Sequence, residues 1–240
     1  MPLQTGWKPS LGAVLLEGDE QQRCEFTVWA PEARSVDLHL IGEPDRYVSM
    51  AHGDKGYFHA VVNGITAGQQ YLYRLNGEGE YPDPAARAMP DGVHGPSAVV
   101  ERDFNWSEWG GLPIDDYIIY ELHIGTFSPE GTYLGAIPHL DHLVELGVTA
   151  VELMPVNQFA GTRGWSYDGV LLFAPHNTYG TPHDFKSLID ACHQRGLAVI
   201  LDVVYNHFGP VGNTMHNFGP YMTDKYRTPW GAGMNFDDMY

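Results

Sequence analysis

The chain has 240 residues, 43% apolar and 18% charged, which excludes a disordered or collagen-like polypeptide and leaves room for more than one domain. Thirteen Lys and Arg against thirty Asp and Glu give a net charge of −17, which disfavours nucleic acid and anionic membranes and makes a neutral ligand the default. Cys24 and Cys192 stand far apart with no disulfide framework or CxxC pattern, and no basic segment leads into a long apolar run. A reducing, cytoplasmic setting without signal peptide or membrane span is expected.

Residues 11–77 read as β. Residues 25–31 alternate polar and apolar as a half-buried strand does, and 35–40, 57–62 and 69–75 repeat the pattern. Gly42, Gly53, Gly64 and Gly77 punctuate them, so several short strands at this spacing predict an antiparallel β-sandwich. From 81 to 116 the pattern dissolves, because Pro82, Pro84, Pro90, Pro96 and Pro113 interrupt any long element. Trp106 and Trp109 are expected to pin this connector to a neighbouring surface, and the domains divide as 1–105 and 106–240.

Beyond residue 116 the period changes. Residues 117–124 form an apolar strand. Leu134, Ile137, Leu140, Leu143, Val144 and Leu146 recur at helical spacing and Gly147 closes the helix. A strand at 149–156 and a long loop at 157–180 follow. Thr181 and Pro182 open a second helix whose apolar face is Phe185, Leu188, Ile189 and Cys192, ended by Gly196. The run 197–201 is then a strand buried on both faces, ending abruptly in Asp202, Asn206 and His207. This βαβαβ order predicts a parallel sheet with right-handed crossovers. About 125 residues follow the connector, whereas a closed eight-stranded α/β barrel needs at least about 200. The second domain is therefore a small open sheet or an incomplete barrel.

A parallel sheet keeps its chemistry at the C-terminal ends of its strands. There this chain places His123, Glu152, the stretch 163–169 with Trp165, Tyr167 and Asp168, and Asp202 with Asn206 and His207. The aromatic rings suit stacking on a sugar and the polar groups suit its hydroxyls; packing of the loop is the competing role for Trp165 and Tyr167. Asp202 and His207 could equally do no more than satisfy each other. Asp202, His207 and His216 could hold a metal, but their spacing matches no zinc signature and there is no HExxH, so no metal and no cofactor is expected. His139, His142 and His193 lie on predicted helices and are expected to be solvated. Residues 164–169 are not a G-x-S-x-G elbow, and there is no phosphate loop or dinucleotide fingerprint.

Residues 202–207, Asp-Val-Val-Tyr-Asn-His, resemble the first signature region of the α-amylase superfamily of glycoside hydrolases. The loop 165–169 with 173–175 and 179–180 is similar to the same superfamily, apart from Ser166 where glycine is usual, and 25–31 resembles the N-terminal module of its isoamylase and branching-enzyme group. Residues 83–96, 120–132 and 218–237 narrow the resemblance to the branch that acts on glucans ending in trehalose, with Met222 in place of the usual aromatic residue. The resemblance implies the first three strands of a (β/α)8 TIM barrel after the sandwich. It implies hydrolysis of the α-1,4 bond next to the terminal trehalose of maltooligosyltrehalose, with maltooligosyltrehalose synthase as functional partner.

It further implies that His207 hydrogen-bonds the sugar being cleaved, Tyr167 stacks on it, Asp202 supports the centre from behind and Asn206 is structural, with Trp165 and Asp168 lining the site. The nucleophile and acid/base carboxylates of the superfamily would lie after residue 240, so no catalytic residue is expected in this chain and the chain alone is expected to be inactive. Phe208 and Phe218 are candidates for the wall around the trehalose end or for packing. The alternatives are a glycogen branching enzyme or another enzyme of the superfamily, and a non-catalytic α-glucan-binding protein.

Overall fold

The computed structural model describes residues 10–16, 22–165 and 167–238; Ser166 lies outside them. Nine strands build the first unit: β1 (Gly12–Leu15), β2 (Cys24–Trp29), β3 (Val36–Leu40), β4 (Arg46–Ser49), β5 (Ala51–His52), β6 (Tyr57–Val62), β7 (Gln70–Leu75), β8 (Glu80–Tyr81) and β9 (Ser97–Ala98). They pair antiparallel in two sheets, β1-β2-β6-β5 and β4-β3-β7-β8, with β9 also on β7. The alternation at 25–31, 35–40, 57–62 and 69–75 sends side chains from all four strands into one core of Phe26, Val28, Leu38, Phe58, Tyr71 and Tyr73. Phe26 and Tyr71 meet edge to face there, centroids 5.1 Å apart. The short strands β1, β4, β5, β8 and β9 carry too few residues for alternation to announce them.

The second unit contains β10 (Ile119–Leu122), α1 (Ile124–Phe127), α2 (Tyr133–Ala136), α3 (Leu140–Glu145), β11 (Ala150–Leu153), the small antiparallel pair β12 (Asn157–Gln158) and β13 (Leu171–Pro175), α4 (Pro182–His193), β14 (Ala198–Leu201), and the hairpin of β15 (Met222–Thr228) and β16 (Gly231–Met234). β10, β11 and β14 are parallel neighbours in that order. Leu122, Val151, Leu153 and Val199 pack against Leu140, Leu143, Leu188 and Cys192, so the helices cover one sheet face. Alternation turns Ile119, Glu121, Glu152 and Ile200 to the other. No helix among the described residues is long and apolar enough to cross a membrane.

Several expectations are corrected. The helix at 134–146 is interrupted by a 3₁₀ turn at Ile137–His139, where Pro138 has no amide to donate. The strand at 117–124 is shorter because the chain turns into α1 at Ile124. β14 is not buried on both faces: it is an edge strand here, and Leu201 is 43% exposed. His193 is not simply solvated, because Trp109 stacks flat on it with centroids 4.6 Å apart. Together with the Ser107 amide and hydroxyl bonds to Asp190, at 2.7 and 3.0 Å, this stack fastens the connector to α4.

Candidate active site

The three parallel strands end together. The in-register pairs Glu121–Glu152 and Leu122–Leu153–Leu201 bring β10, β11 and β14 to a common edge, and the Asp202 amide extends the ladder to the Leu153 carbonyl at 2.9 Å. Two glutamates side by side on one face repel each other unless solvent or a polar ligand screens them. Here Glu121 is exposed and Glu152 half-buried, so this sheet face is open to solvent in the structure, and the strand alternation of Glu121 with Leu122 is the sequence signal for it.

Asp202 follows β14 and is half-buried. The Tyr167 hydroxyl lies 3.5 Å from its Oδ2, the long end of hydrogen-bond range. Desolvation, followed by the negative charges of Asp202 and Glu121, holds the Tyr167 phenol above its ordinary pKa, so it stays a neutral donor. No hydrogen bond joins Asp202 to His207 among the described residues. Instead His207, buried, sets its Nδ1 against the Asn206 side-chain oxygen. An amide oxygen only accepts, so this contact places a proton on Nδ1 and leaves Nε2 for another partner. The exposed indole of Trp230, between β15 and β16, stacks on the His207 ring with centroids 5.2 Å apart and planes 19° apart.

The loop carrying Trp165, Tyr167 and Asp168 is clamped at both ends. At one, His123 Nε2 lies 2.8 Å from the Gly164 carbonyl oxygen, and the Tyr179 hydroxyl is 3.1 Å from the same nitrogen. At the other, the Gly209 amide donates to the Gly169 carbonyl at 2.8 Å. A Cβ on Gly209 would fall 1.9 Å from the Asp168 carbonyl oxygen, so only glycine permits this approach. Between the clamps Trp165, 71% exposed, and Tyr167, 41% exposed, present open ring surface, and Asp168 is exposed beside them.

The structure thus brings Tyr167 to Asp202 just past β14, sets Asn206 and Trp230 against the His207 imidazole, and leaves Trp165 and Asp168 exposed beside Tyr167; no hydrogen bond or ring contact joins the Asp202–Tyr167 pair to His207 among the described residues. Phe218 is not at the strand ends: it is wholly buried in the sandwich core, and Phe208 packs on the cluster of Met89, Val93 and Met215. No three or more His, Cys, Asp or Glu among the described residues are arranged to hold a metal ion, so Asp202, His207 and His216 form no such group. Glu121 and Trp230 are the site residues that sequence reasoning passed over. Trp230 lies in the stretch 218–237 that carries part of the family resemblance, but a residue in a hairpin turn bears no local pattern linking it to His207 at a strand end.

The ends of the strands and the loops beside them carry acceptor carboxylates, a phenol donor, an oriented imidazole and exposed aromatic faces, which are the groups a polyhydroxylated ring requires. The sequence profile described as alpha amylase, catalytic domain, matches residues 81–228, and that of carbohydrate-binding module 48, the isoamylase N-terminal domain, matches residues 10–89. The chain belongs to the α-amylase family. Among its curated relatives is malto-oligosyltrehalose trehalohydrolase of Saccharolobus solfataricus, 49% identical over 215 residues, 89% of this chain and 38% of that protein. The protein of the same name from Deinococcus radiodurans is 43% identical over 230 residues, 94% of this chain and 37% of that one. A crystal structure of a putative alpha amylase from Salmonella typhimurium superposes with a TM-score of 0.89 at 44% identity, covering 96% of this chain and 39% of that one. The chain therefore spans a little over a third of the length of these relatives.

Proposed function

We propose that this chain forms one side of the active-site cleft of a glycoside hydrolase that cuts the α-1,4 bond next to the terminal trehalose of maltooligosyltrehalose and releases trehalose. The observation that carries this reading is the 49% identity, along 89% of the chain, to a relative named for that activity. In this reading His207 donates or accepts through Nε2 at the sugar being cleaved. Tyr167 and Trp165 offer their ring faces to it, Asp202 and Asp168 accept from hydroxyls, and Asn206 fixes the imidazole. Retaining hydrolysis needs two carboxyl groups roughly 5–5.5 Å apart, one as nucleophile and one as acid/base. We assign that pair to the part of the enzyme outside these 240 residues.

The substrate is an α-1,4-glucan already capped by trehalose, so the functional partner is the maltooligosyltrehalose synthase that makes it. The reading places the protein in trehalose biosynthesis in the cytoplasm and divides the chain into a sandwich module, 1–105, and the start of the catalytic barrel, 106–240. The test offers the full-length enzyme maltooligosyltrehalose and plain maltooligosaccharide at equal concentration and follows products by chromatography. Trehalose is expected as the dominant early product. Equal cleavage of both substrates, or new α-1,6 linkages without free sugar, would replace this reading.

A further inference from the structure

The segment after His207 does not stay at the cleft. It leaves the end of β14, buries Met215 against Met89 and Val93 of the connector, and pushes Phe218 wholly into the sandwich core. There Phe218 meets Tyr73 and Tyr81 edge to face, with centroids 6.3 and 6.1 Å away. Next to it the Tyr221 hydroxyl donates to the Trp29 carbonyl at 3.0 Å, and the two rings meet at 5.0 Å. A Cβ on Gly219 would lie 2.9 Å from Pro31. The chain then returns as β15 and β16, whose connecting turn lays Trp230 on His207. Asn235, just past β16, closes the path by donating its amide to the Tyr221 carbonyl and its side-chain nitrogen to the Pro220 carbonyl, at 3.0 and 2.9 Å.

Both ends of this segment thus sit at the cleft while its middle is held by the sandwich. A large aromatic ring in a close-packed core has one seat, so displacing it moves everything attached to it. We infer that Phe218 is a positioning residue: seated in the sandwich core, it fixes the β15–β16 hairpin and so sets Trp230 against His207. The sandwich then acts on the reaction through this seat, independently of any glucan it binds. The inference builds on the proposed hydrolase reading, since it assigns Phe218 a role in that cleft.

The test uses the full-length enzyme with Phe218→Ala, Phe218→Leu and, as a control in the same core, Phe58→Ala, whose ring is equally buried but touches His52 of β5. Kinetics on maltooligosyltrehalose and hydrogen exchange of residues 222–234 are measured well below each variant's melting temperature. Phe218→Ala is expected to raise KM about tenfold and to speed hairpin exchange at least about tenfold, with Phe218→Leu recovering part of both. Phe58→Ala is expected to lower the melting temperature comparably while keeping KM within about twofold and hairpin exchange unchanged. If Phe218→Ala does not fold, Tyr221→Phe, which removes only the hydroxyl bond to Trp29, is expected to give the same changes at about threefold. Identical behaviour of the Phe218 and Phe58 variants, or hairpin exchange unmoved in Phe218→Ala or in its substitute Tyr221→Phe, would overturn the inference. Failure of the hydrolase reading looks different: the parent enzyme then releases no trehalose, and the exchange comparison stands without it.

Discussion

At the scale of single residues, His207 is the side chain whose surroundings are hardest to explain by stability alone. It is buried, yet its neighbours are an exposed amide and an exposed indole, and its Nε2 has no assigned partner among the described residues. His207→Ala in the full-length enzyme should lower the rate roughly 10²–10³-fold, the loss expected for one hydrogen bond made at a charged transition state. The melting temperature should change little; an unchanged rate with a lowered melting temperature would make the residue purely structural. Two other buried residues act on stability with opposite sign. Burial pushes the Asp83 carboxyl up to about 6, against the Tyr71 hydroxyl bond of 2.6 Å that favours its charged form. Its contribution is full below pH 4 and is lost as pH rises through 6. Burial lowers His176 to about 4, so its contribution is full above pH 6.5 and is lost as pH falls toward 4. Between pH 4 and 6 the two oppose each other. Urea midpoints at pH 4.5 and 7 should therefore show a steeper acid loss in Asp83→Asn and a shallower one in His176→Gln. Slopes equal to the parent's in both variants would mean that neither group titrates in this window.

At the scale of elements, what was legible in the sequence is what local chemistry alone determines. α4 begins at Pro182 after Thr181, where the Thr181 hydroxyl takes the Asp184 amide and the Asp184 carboxylate takes the Thr181 amide. That capping box is worth about 1 kcal/mol and needs no tertiary partner to form. Gly196, at φ 76°, ends the turn after α4 in a conformation that favours glycine. The long strands β2, β3, β6 and β7 were visible for the same reason, since one residue in two faces a single core. The broken helix at 137–139 was readable from Pro138 and was overridden by the stronger apolar spacing around it. What could not be read depends on distant contacts: the seat of Phe218 between Tyr73 and Tyr81, the stack of Trp109 on His193, and the placement of Trp230 on His207. Burial of β14 was overread because Val, Ile and Leu in a row announce a parallel strand without saying how many strands flank it. At the candidate site, the motif at 202–207 gave the place of the strand end, whereas the hairpin that lays Trp230 on His207 lies in the stretch 218–237, whose resemblance does not say which strand end it packs on.

At the scale of the whole molecule, the described residues carry a three-stranded parallel sheet whose outer strands, β10 and β14, each leave one edge without a partner strand among them. Ile118, Ile119 and Tyr120 are exposed along one edge, and Leu201, Val203 and Tyr205 at the other. Open apolar edges are templates for pairing with another chain. Against this stands a net charge of −17, which makes copies of the chain repel one another over about one Debye length. At low ionic strength, roughly 10 mM, that length is about 30 Å and repulsion reaches across the edge; at 1 M it is about 3 Å and the edges meet unopposed. Isolated 240-residue chain should thus sediment as a monomer in dilute buffer and as larger, concentration-dependent species when salt is raised, the opposite of an association held by ion pairs. The same preparation should release no sugar from maltooligosyltrehalose or maltodextrin above a heat-killed control, because the carboxylate pair of the proposed reaction is assigned elsewhere. Sugar release by the chain alone would place two working carboxyl groups within it, and Glu121 and Glu152 would be the first to substitute. Sedimentation as a monomer at high salt, with a single sharp unfolding transition, would mean that three strands with their helices and sandwich already form a closed cooperative unit.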